Sequence, residues 1–245
     1  MLLEQKIIFR PQKLPQQYIF KGNFPLTEFF FNFNIDKNPF LINVVHVHSK
    51  QQKGVVFFLH GTLNHIQYHL PKTDLFIENG YDVVMMDYPQ YGKSKGVLTE
   101  PLLHKVIEST FIKIRDMLPL TSAWIIVGRS LGTALASNLA TKISAKALVL
   151  ISPYYSMPDL FHHKVKLFTF KGLNFKMENF LYLQKVPCNS YILHGTVDKL
   201  ISISLAKKLI PFLKSPEHFF AVEHANHFNI HQMDFFKEKI KLILK

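Results

Sequence analysis

A serine stands between two glycines in the segment Gly128-Arg129-Ser130-Leu131-Gly132. The apolar run 123–127 before it predicts a strand, and the small-residue run 133–140 after it predicts a helix. A serine on so tight a turn adopts a strained backbone, and side chains two positions to either side would collide, so glycine is needed there. The pattern predicts that the Ser130 hydroxyl stands clear of the sheet as a nucleophile. It also predicts that the Leu131 amide, at the start of the helix, faces developing negative charge.

A nucleophilic serine needs a base that accepts its proton and an acid that orients the base. Asp198 follows the apolar run 191–193 and a short turn, which predicts a loop at the carboxyl end of a strand. His224 and His227 both follow a second strand-like run and precede a predicted helix from about residue 229 to residue 244. The alternative role for Asp198 is a helix cap near Ser202, and either histidine has a structural alternative. The chain order is serine, acid, histidine.

A second amide for the oxyanion is expected after the buried strand predicted at 54–59, in His60-Gly61-Thr62. An acyl-transfer site uses two preorganised amides, and loss of one raises the barrier by about 3 to 4 kcal/mol. Thr62 is predicted to supply the second amide, because Gly61 lets the backbone approach closely. His60 is predicted to anchor this loop by hydrogen bonding, and His194 has the same predicted role in a similar turn.

The elements that must position these residues alternate in type from Gly54 onward. Apolar strand-like runs alternate with helical segments, which predicts an α/β fold with a doubly wound, mostly parallel sheet. Before Gly54, three runs read as antiparallel edge strands separated by turns containing Pro and Asn: 6–9, 27–33 and 41–48.

The regular alternation stops between about residues 153 and 185, in a stretch rich in Phe, Leu and Lys. We interpret this stretch as a small cap over the serine, or as two short helices that simply cover the sheet. The 245 residues and their 48% hydrophobic content suit one α/β domain, 1–245, that carries this insertion.

On the strength of five short sequence segments taken together, the chain resembles the α/β-hydrolase superfamily. The resemblance runs from about residue 53 to the end of the chain. The narrower resemblance is to its serine aminopeptidase and monoglyceride-lipase-like branch and to the related depalmitoylase-like group. In that family the base follows a short Ala- or Gly-containing run and precedes an Asn- or Asp-containing helix start, which favours His227 over His224. The five segments that carry the resemblance are His60-Gly61-Thr62, 87–94, 128–132, 194–201 and Ala225-Asn226-His227.

The resemblance and the residues together predict a serine hydrolase with the catalytic residues Ser130, Asp198 and His227 and the oxyanion donors Thr62 and Leu131. The expected substrates are small acyl esters or thioesters, cleaved through an acyl-enzyme without a cofactor or metal. Three alternatives stay open: a peptidase or amidase that uses the same three residues, a noncatalytic binding protein with this fold, and a nucleic-acid-binding protein that uses its basic surface.

The composition of the chain argues against disulfides, cysteine zinc clusters and nucleic-acid recognition. Cys188 is the only cysteine, so neither an intramolecular disulfide nor a cysteine zinc cluster can form. The net charge of +12 comes almost entirely from lysine spread along the chain, with three arginines, which argues against nucleic-acid recognition. Weak association with anionic membrane surfaces is compatible with this charge.

The start of the chain lacks a signal-peptide pattern, so a cytoplasmic location is expected. The sequence specifies no oligomeric state.

Overall fold

The protein is described by a computed structural model over residues 3–118, 123–164 and 173–245. The chain forms two compact units, residues 1–124 and 125–245. The expectation of a single domain over 1–245 stays a prediction. Within the described residues, no helix is both long enough and apolar enough to cross a bilayer.

The first unit contains a four-stranded part of the sheet in the order β4-β6-β3-β2. β4 and β6 are parallel, and β3 is antiparallel to both β6 and β2. Every residue of β4 and β6 is buried, as expected for continuous apolar runs covered on both faces. The elements of this unit are α1 Leu3–Ile8, β1 Arg10–Pro11, β2 Leu26–Ile35, β3 Asn38–Val47, β4 Gly54–Leu59, β5 Leu63–Asn64, α2 Ile66–His69, α3 Asp74–Glu78, β6 Tyr81–Met86 and α4 Glu100–Met117.

The first of the three predicted antiparallel strands is wrong, because residues 3–8 form the helix α1. Gln5, Ile8 and Phe9 are buried while Ile7 is 48% exposed, so the buried positions follow helical rather than alternating spacing. A four-residue apolar run does not distinguish the two patterns. The other two strands, β2 and β3, pair antiparallel from Leu26 opposite Val47 to Ile35 opposite Asn38. β3 is not an edge strand, since it also pairs with β6.

The second unit contains four strands in the order β10-β9-β8-β7, and all three pairings are parallel. Helices follow these strands, so the predicted α/β class with a mostly parallel sheet and antiparallel strands at its start is confirmed. The elements are β7 Trp124–Arg129, α5 Gly132–Ala140, β8 Ala147–Ile151, α6 Met157–Lys164, α7 Asn179–Leu183, β9 Asn189–Gly195, α8 Ile203–Lys207, β10 Phe219–Val222 and α9 Asp234–Leu244.

The parallel pairing of this second unit places three loops at one edge of its strands. Ser130 follows β7, Asp198 lies three residues after β9, and His227 lies five residues after β10. Carboxyl ends of parallel strands meet at a common edge, where open α/β sheets build their sites.

Candidate active site

The turn that carries Ser130 joins β7 to α5 directly. Ser130 has φ = +53°, a left-handed conformation that is strained for a residue with a side chain. The Ser130 amide donates a hydrogen bond to the Ile151 carbonyl at 2.9 Å, and the Ser130 carbonyl accepts the amide and the hydroxyl of Thr133 at 2.9 and 2.6 Å. The backbone therefore has the strained strand-to-helix geometry that the five-residue pattern predicts.

Gly128 lies in close contact with α5. A Cβ atom at this position would lie 2.5 Å from the Gly132 carbonyl oxygen and 2.7 Å from the Ala136 Cβ. Both distances are shorter than van der Waals contact, and the backbone partner cannot rotate away. The glycine two positions before Ser130 is thus required for the close packing of strand against helix.

Asp198 and His227, 29 residues apart in the chain, meet in a buried hydrogen bond. The Asp198 Oδ2 lies 2.7 Å from the His227 Nδ1. The other carboxylate oxygen, Oδ1, accepts the backbone amides of Leu200 and Ile201, each at 2.8 Å. Both carboxylate oxygens are therefore oriented, and Oδ2 is aimed at the imidazole.

The environment of Asp198 favours its ionised form. Burial acts to raise the pKa of this carboxyl, but hydrogen bonding and charge from His227, with the Ile201 amide, outweigh it and hold the pKa below its ordinary value. The carboxylate is ionised at neutral pH. It therefore accepts a hydrogen bond from His227 Nδ1–H, which leaves the Nε2 of the ring as the nitrogen with a free lone pair.

The loop around His227 is ordered by its own asparagines. The Asn226 side chain accepts the amides of Phe228 and Asn229 at 2.8 and 3.0 Å, and Asn229 Oδ1 accepts the Asn226 amide at 2.7 Å. His227 is 4% exposed. His224, by contrast, is exposed, has φ = +59° and donates its backbone amide to the Thr196 hydroxyl. Of the two candidate histidines, the structure places His227 against Asp198.

Arg129 connects the serine turn to the histidine loop. Its Nη2 donates to the backbone carbonyl of His227 at 2.6 Å, and the side chain is buried. The residue next to Ser130 in sequence is therefore hydrogen-bonded to the residue that carries the imidazole. The sequence pattern indicates no role for Arg129, because the identity of its hydrogen-bond acceptor depends on the fold.

The loops that carry Asp198 and His227 also pack directly against each other at Gly195. A Cβ atom at Gly195 would lie 2.2 Å from the Ala225 carbonyl oxygen. The same carbonyl accepts a hydrogen bond from the Val197 amide at 3.1 Å, and the Val222 carbonyl accepts one from the Thr196 amide at 3.0 Å. This contact, which we call the Gly195–Ala225 junction, fixes the spacing between the two loops.

His194 lies beside Asp198 without replacing His227 as its partner. Its Nε2 donates to the Ile201 carbonyl at 2.9 Å and is 3.7 Å from the Asp198 Oδ2. Burial lowers the pKa of His194, against smaller opposing effects of the Ile201 hydrogen bond and the Asp198 charge. These contacts agree with the loop-anchoring role predicted for this histidine.

The two predicted oxyanion donors lie in different units. Leu131 is the N-cap residue immediately before α5, and its carbonyl oxygen accepts a hydrogen bond from the Tyr154 hydroxyl at 3.5 Å. Thr62 lies in the first unit, where its carbonyl accepts the Tyr91 hydroxyl at 2.9 Å and its own hydroxyl donates to the Ile8 carbonyl. The roles of both amides stay predictions.

His60 is fully buried in the same loop as Thr62. Its ring lies over Tyr88 with centroids 4.2 Å apart, its Nδ1 is 2.7 Å from the Gly61 carbonyl, and its Nε2 is 3.5 Å from Asp87. The Tyr88 hydroxyl donates to the His60 carbonyl at 2.7 Å. The predicted anchoring role of His60 agrees with these contacts.

Asn179 attaches the segment predicted as a cap to α5, the helix that follows Ser130. Its amide nitrogen donates to the Thr133 hydroxyl at 3.0 Å and to the Tyr154 carbonyl at 2.9 Å, and its oxygen accepts the Ser137 hydroxyl at 2.9 Å. Asn179 is fully buried. Within the predicted cap, α6 and α7 are described and residues 165–172 lie outside the described residues, so the cap stays a prediction.

We expect Asn179→Ala to lower stability by about 1 to 3 kcal/mol, because it removes three hydrogen bonds and leaves buried groups without partners. For a chain of this size the melting temperature should fall by at least about 2 °C. Thermal unfolding followed by circular dichroism measures this. Asn32→Ala, at an exposed position of β2, is the matched control and should change little. Equal melting temperatures for the two variants would contradict the anchoring role.

The chain is similar in sequence to a known protein family and to curated relatives. Residues 54–187 match the model of a family described as alpha/beta hydrolase fold. Human alpha/beta hydrolase domain-containing protein 17B is 28% identical over 162 residues, which cover 65% of this chain and 55% of the human protein. The corresponding protein of Xenopus laevis is 27% identical over the same length and shares. The chain thus spans about half the length of these relatives.

Solved structures share the fold over nearly the whole chain. An esterase from Pyrococcus furiosus matches with a TM-score of 0.73 and 15% identity, over 96% of this chain and 98% of that chain. Est1E from Butyrivibrio proteoclasticus, solved with bound ferulic acid, matches with a TM-score of 0.66 and 16% identity, over 88% and 96%. At these identities the likeness shows the common fold, and the chemistry must be argued from the site.

Proposed function

The chain belongs to the alpha/beta hydrolase fold family, and on that premise we propose that it is a serine hydrolase of carboxylic esters or thioesters. Ser130 is the nucleophile, His227 the general base and Asp198 the acid that orients it. The observation that carries the proposal is the buried 2.7 Å contact between Asp198 Oδ2 and His227 Nδ1. It is supported by the left-handed Ser130 and by the hydrogen bond from its neighbour Arg129 to His227.

The first half of the reaction acylates the serine. His227 Nε2 takes the proton of the Ser130 hydroxyl as the oxygen attacks the acyl carbon, and the carbonyl oxygen of the substrate becomes an oxyanion. Asp198 stabilises the imidazolium that forms and holds the ring in the required tautomer. The imidazolium then gives its proton to the departing alcohol or thiol, which leaves an acyl ester on Ser130.

The oxyanion needs preorganised donors at the position where its charge develops. The Leu131 amide, at the positive end of α5, is the first donor in this proposal. Thr62 is the second, by its place in the loop after β4. In the second half of the reaction, water attacks the acyl ester with His227 again as base, and the acid product leaves Ser130 in its starting form.

The proposed substrates are small acyl compounds, and the segment after β8 supports an apolar acyl group. Tyr155 and Phe180 stack with centroids 4.4 Å apart and nearly parallel rings, and Phe212 lies beside them at 6.3 to 6.4 Å. Aromatic side chains of this kind form apolar walls for ligands. Cleavage of amides would use the same three residues, so the acyl and leaving groups must be tested directly.

The test is a fluorophosphonate probe, which phosphonylates an activated serine, followed by peptide mapping. The folded protein should carry one label, on Ser130, and heat-denatured protein should carry none. Hydrolysis of p-nitrophenyl esters of increasing chain length, compared with the matching p-nitroanilides, then separates an esterase from an amidase. A folded protein that is not labelled, or is labelled at another serine, would sink the proposal.

A further inference from the structure

His46, His48 and Asp82 form a compact cluster in the first unit. His46 is the penultimate residue of β3, His48 follows that strand, and Asp82 is the second residue of β6. The His46 Nε2 is 2.8 Å from the Asp82 Oδ2, and the His48 Nδ1 is 3.9 Å from the same oxygen. One donor atom from each residue lies within 4.8 Å of the other two.

Neighbouring groups orient two of the three donors. The Asp82 Oδ1 accepts both the amide and the hydroxyl of Ser49, each at 2.8 Å, so Oδ2 is the oxygen turned toward the two imidazoles. The His48 Nε2 is 2.8 Å from the Thr27 hydroxyl. When Nε2 carries the proton and donates to that oxygen, Nδ1 presents its lone pair to the centre of the cluster. Outer hydrogen bonds of this kind fix the ring orientation of histidine ligands at metal sites.

We propose that His46 Nε2, His48 Nδ1 and Asp82 Oδ2 bind one divalent transition-metal ion, with zinc as the best-fitting metal. Two imidazoles and one carboxylate are a donor set that zinc accepts, with bonds of about 2.0 to 2.2 Å. A tetrahedral ion with such bonds holds its donors about 3.4 Å apart. The separations of His46 Nε2 and His48 Nδ1 from Asp82 Oδ2, 2.8 and 3.9 Å, bracket that value, so side-chain rotations would complete the proposed site.

The cluster reaches solvent on the side of His48. His46 and Asp82 are buried, whereas the His48 side chain is 39% exposed and opens the cluster to solvent. Water can occupy the remaining position, as in zinc sites with three protein ligands.

The site is separate from the loop of Thr62, the part of the proposed hydrolytic machinery that lies in the same unit. It lies at the amino end of β6, and β4, which is parallel to β6, has its carboxyl end toward the loop of Thr62. The two positions are thus at opposite ends of these paired strands. A metal held there joins β3 to β6 and favours the folded state, because the unfolded chain has no preformed site.

Titration of the metal-free protein with zinc chloride, by calorimetry, tests the proposal. Wild type should bind one zinc ion per chain, and cobalt(II) should give the visible spectrum of a low-coordinate nitrogen and oxygen site. His48→Gln should weaken zinc binding at least about 100-fold, and Thr27→Val, which removes only the outer hydrogen bond, about 10-fold. His162→Gln, at an exposed histidine of α6, is the matched control and should bind like wild type.

The melting temperature provides a second readout that separates binding from folding. Zinc should raise it in wild type and His162→Gln but not in His48→Gln, while all three should melt alike without metal. Absence of one-to-one binding would overturn the proposal. Equal affinity in wild type and His48→Gln, or weakening in His162→Gln alone, would overturn it as well.

Discussion

Ser130→Ala should lower kcat for a p-nitrophenyl ester by at least about 10,000-fold, because it removes the oxygen that forms the acyl-enzyme. The hydrogen bonds that hold the turn are made by the backbone of residue 130. Its amide donates to the Ile151 carbonyl, and its carbonyl accepts hydrogen bonds from the amide and hydroxyl of Thr133. Alanine keeps these contacts, so the variant should fold normally. Steady-state kinetics measure the loss, with circular dichroism to verify the fold.

Ser204→Ala is the matched control for this serine replacement. Ser204 is exposed on α8, so its replacement should leave kcat within about twofold of wild type, since exposed substitutions rarely disturb a fold. Ser130→Ala protein that is folded and keeps more than a tenth of wild-type turnover would rule out Ser130 as the nucleophile.

His227→Gln should lower kcat by at least about 10,000-fold, because the glutamine amide cannot accept the serine proton. Glutamine is preferred to alanine as the replacement, since its amide can still donate to the buried Asp198 carboxylate and so limits the loss of stability. The same ester assay measures the effect, with kcat and KM determined separately.

His224→Gln provides the internal comparison, three residues away in the same loop. Its side chain is exposed, and its hydrogen bond to the Thr196 hydroxyl is made by the backbone amide, so turnover should stay near that of wild type. If His224→Gln were the inactive variant and His227→Gln the active one, the assignment of the base would be reversed.

Local sequence was sufficient to predict the serine turn. The strained φ of Ser130 and the close packing at Gly128 both depend on a few neighbouring residues, and those residues are visible as glycine and small side chains in the pattern. The strands before and after this turn are also predictable from local sequence, because a strand of buried apolar residues is visible as an apolar run without information from elsewhere in the chain.

The pairing of Asp198 with His227 needed more than local pattern. Spacing alone left His224 and His227 equally placed, and the family resemblance favoured the second. The structure supplies the physical difference: Asn226 and Asn229 order the loop so that position 227 is buried against the carboxylate, while position 224 is exposed.

Long-range polar contacts could not be predicted from the sequence. Arg129 reaches a carbonyl 98 residues away, and Asn179 bonds to groups 25 to 46 residues away. His46 and His48 do carry a local signal, since two histidines two positions apart share one face of a strand. Their partner Asp82 lies 36 residues from His46, and only the pairing of β3 with β6 brings it near.

The Gly195–Ala225 junction has a practical consequence for anyone who wishes to alter substrate preference by directed evolution. A side chain at position 195 would force the two loops apart, so libraries that randomise this glycine should consist mostly of inactive clones. Glu223, which is exposed, can be diversified while the carboxylate and imidazole keep their positions, whereas the left-handed backbone of His224 (φ = +59°) favours Gly, Asn or Asp as replacements. Mutational tolerance should therefore change sharply within three consecutive codons, 223 to 225.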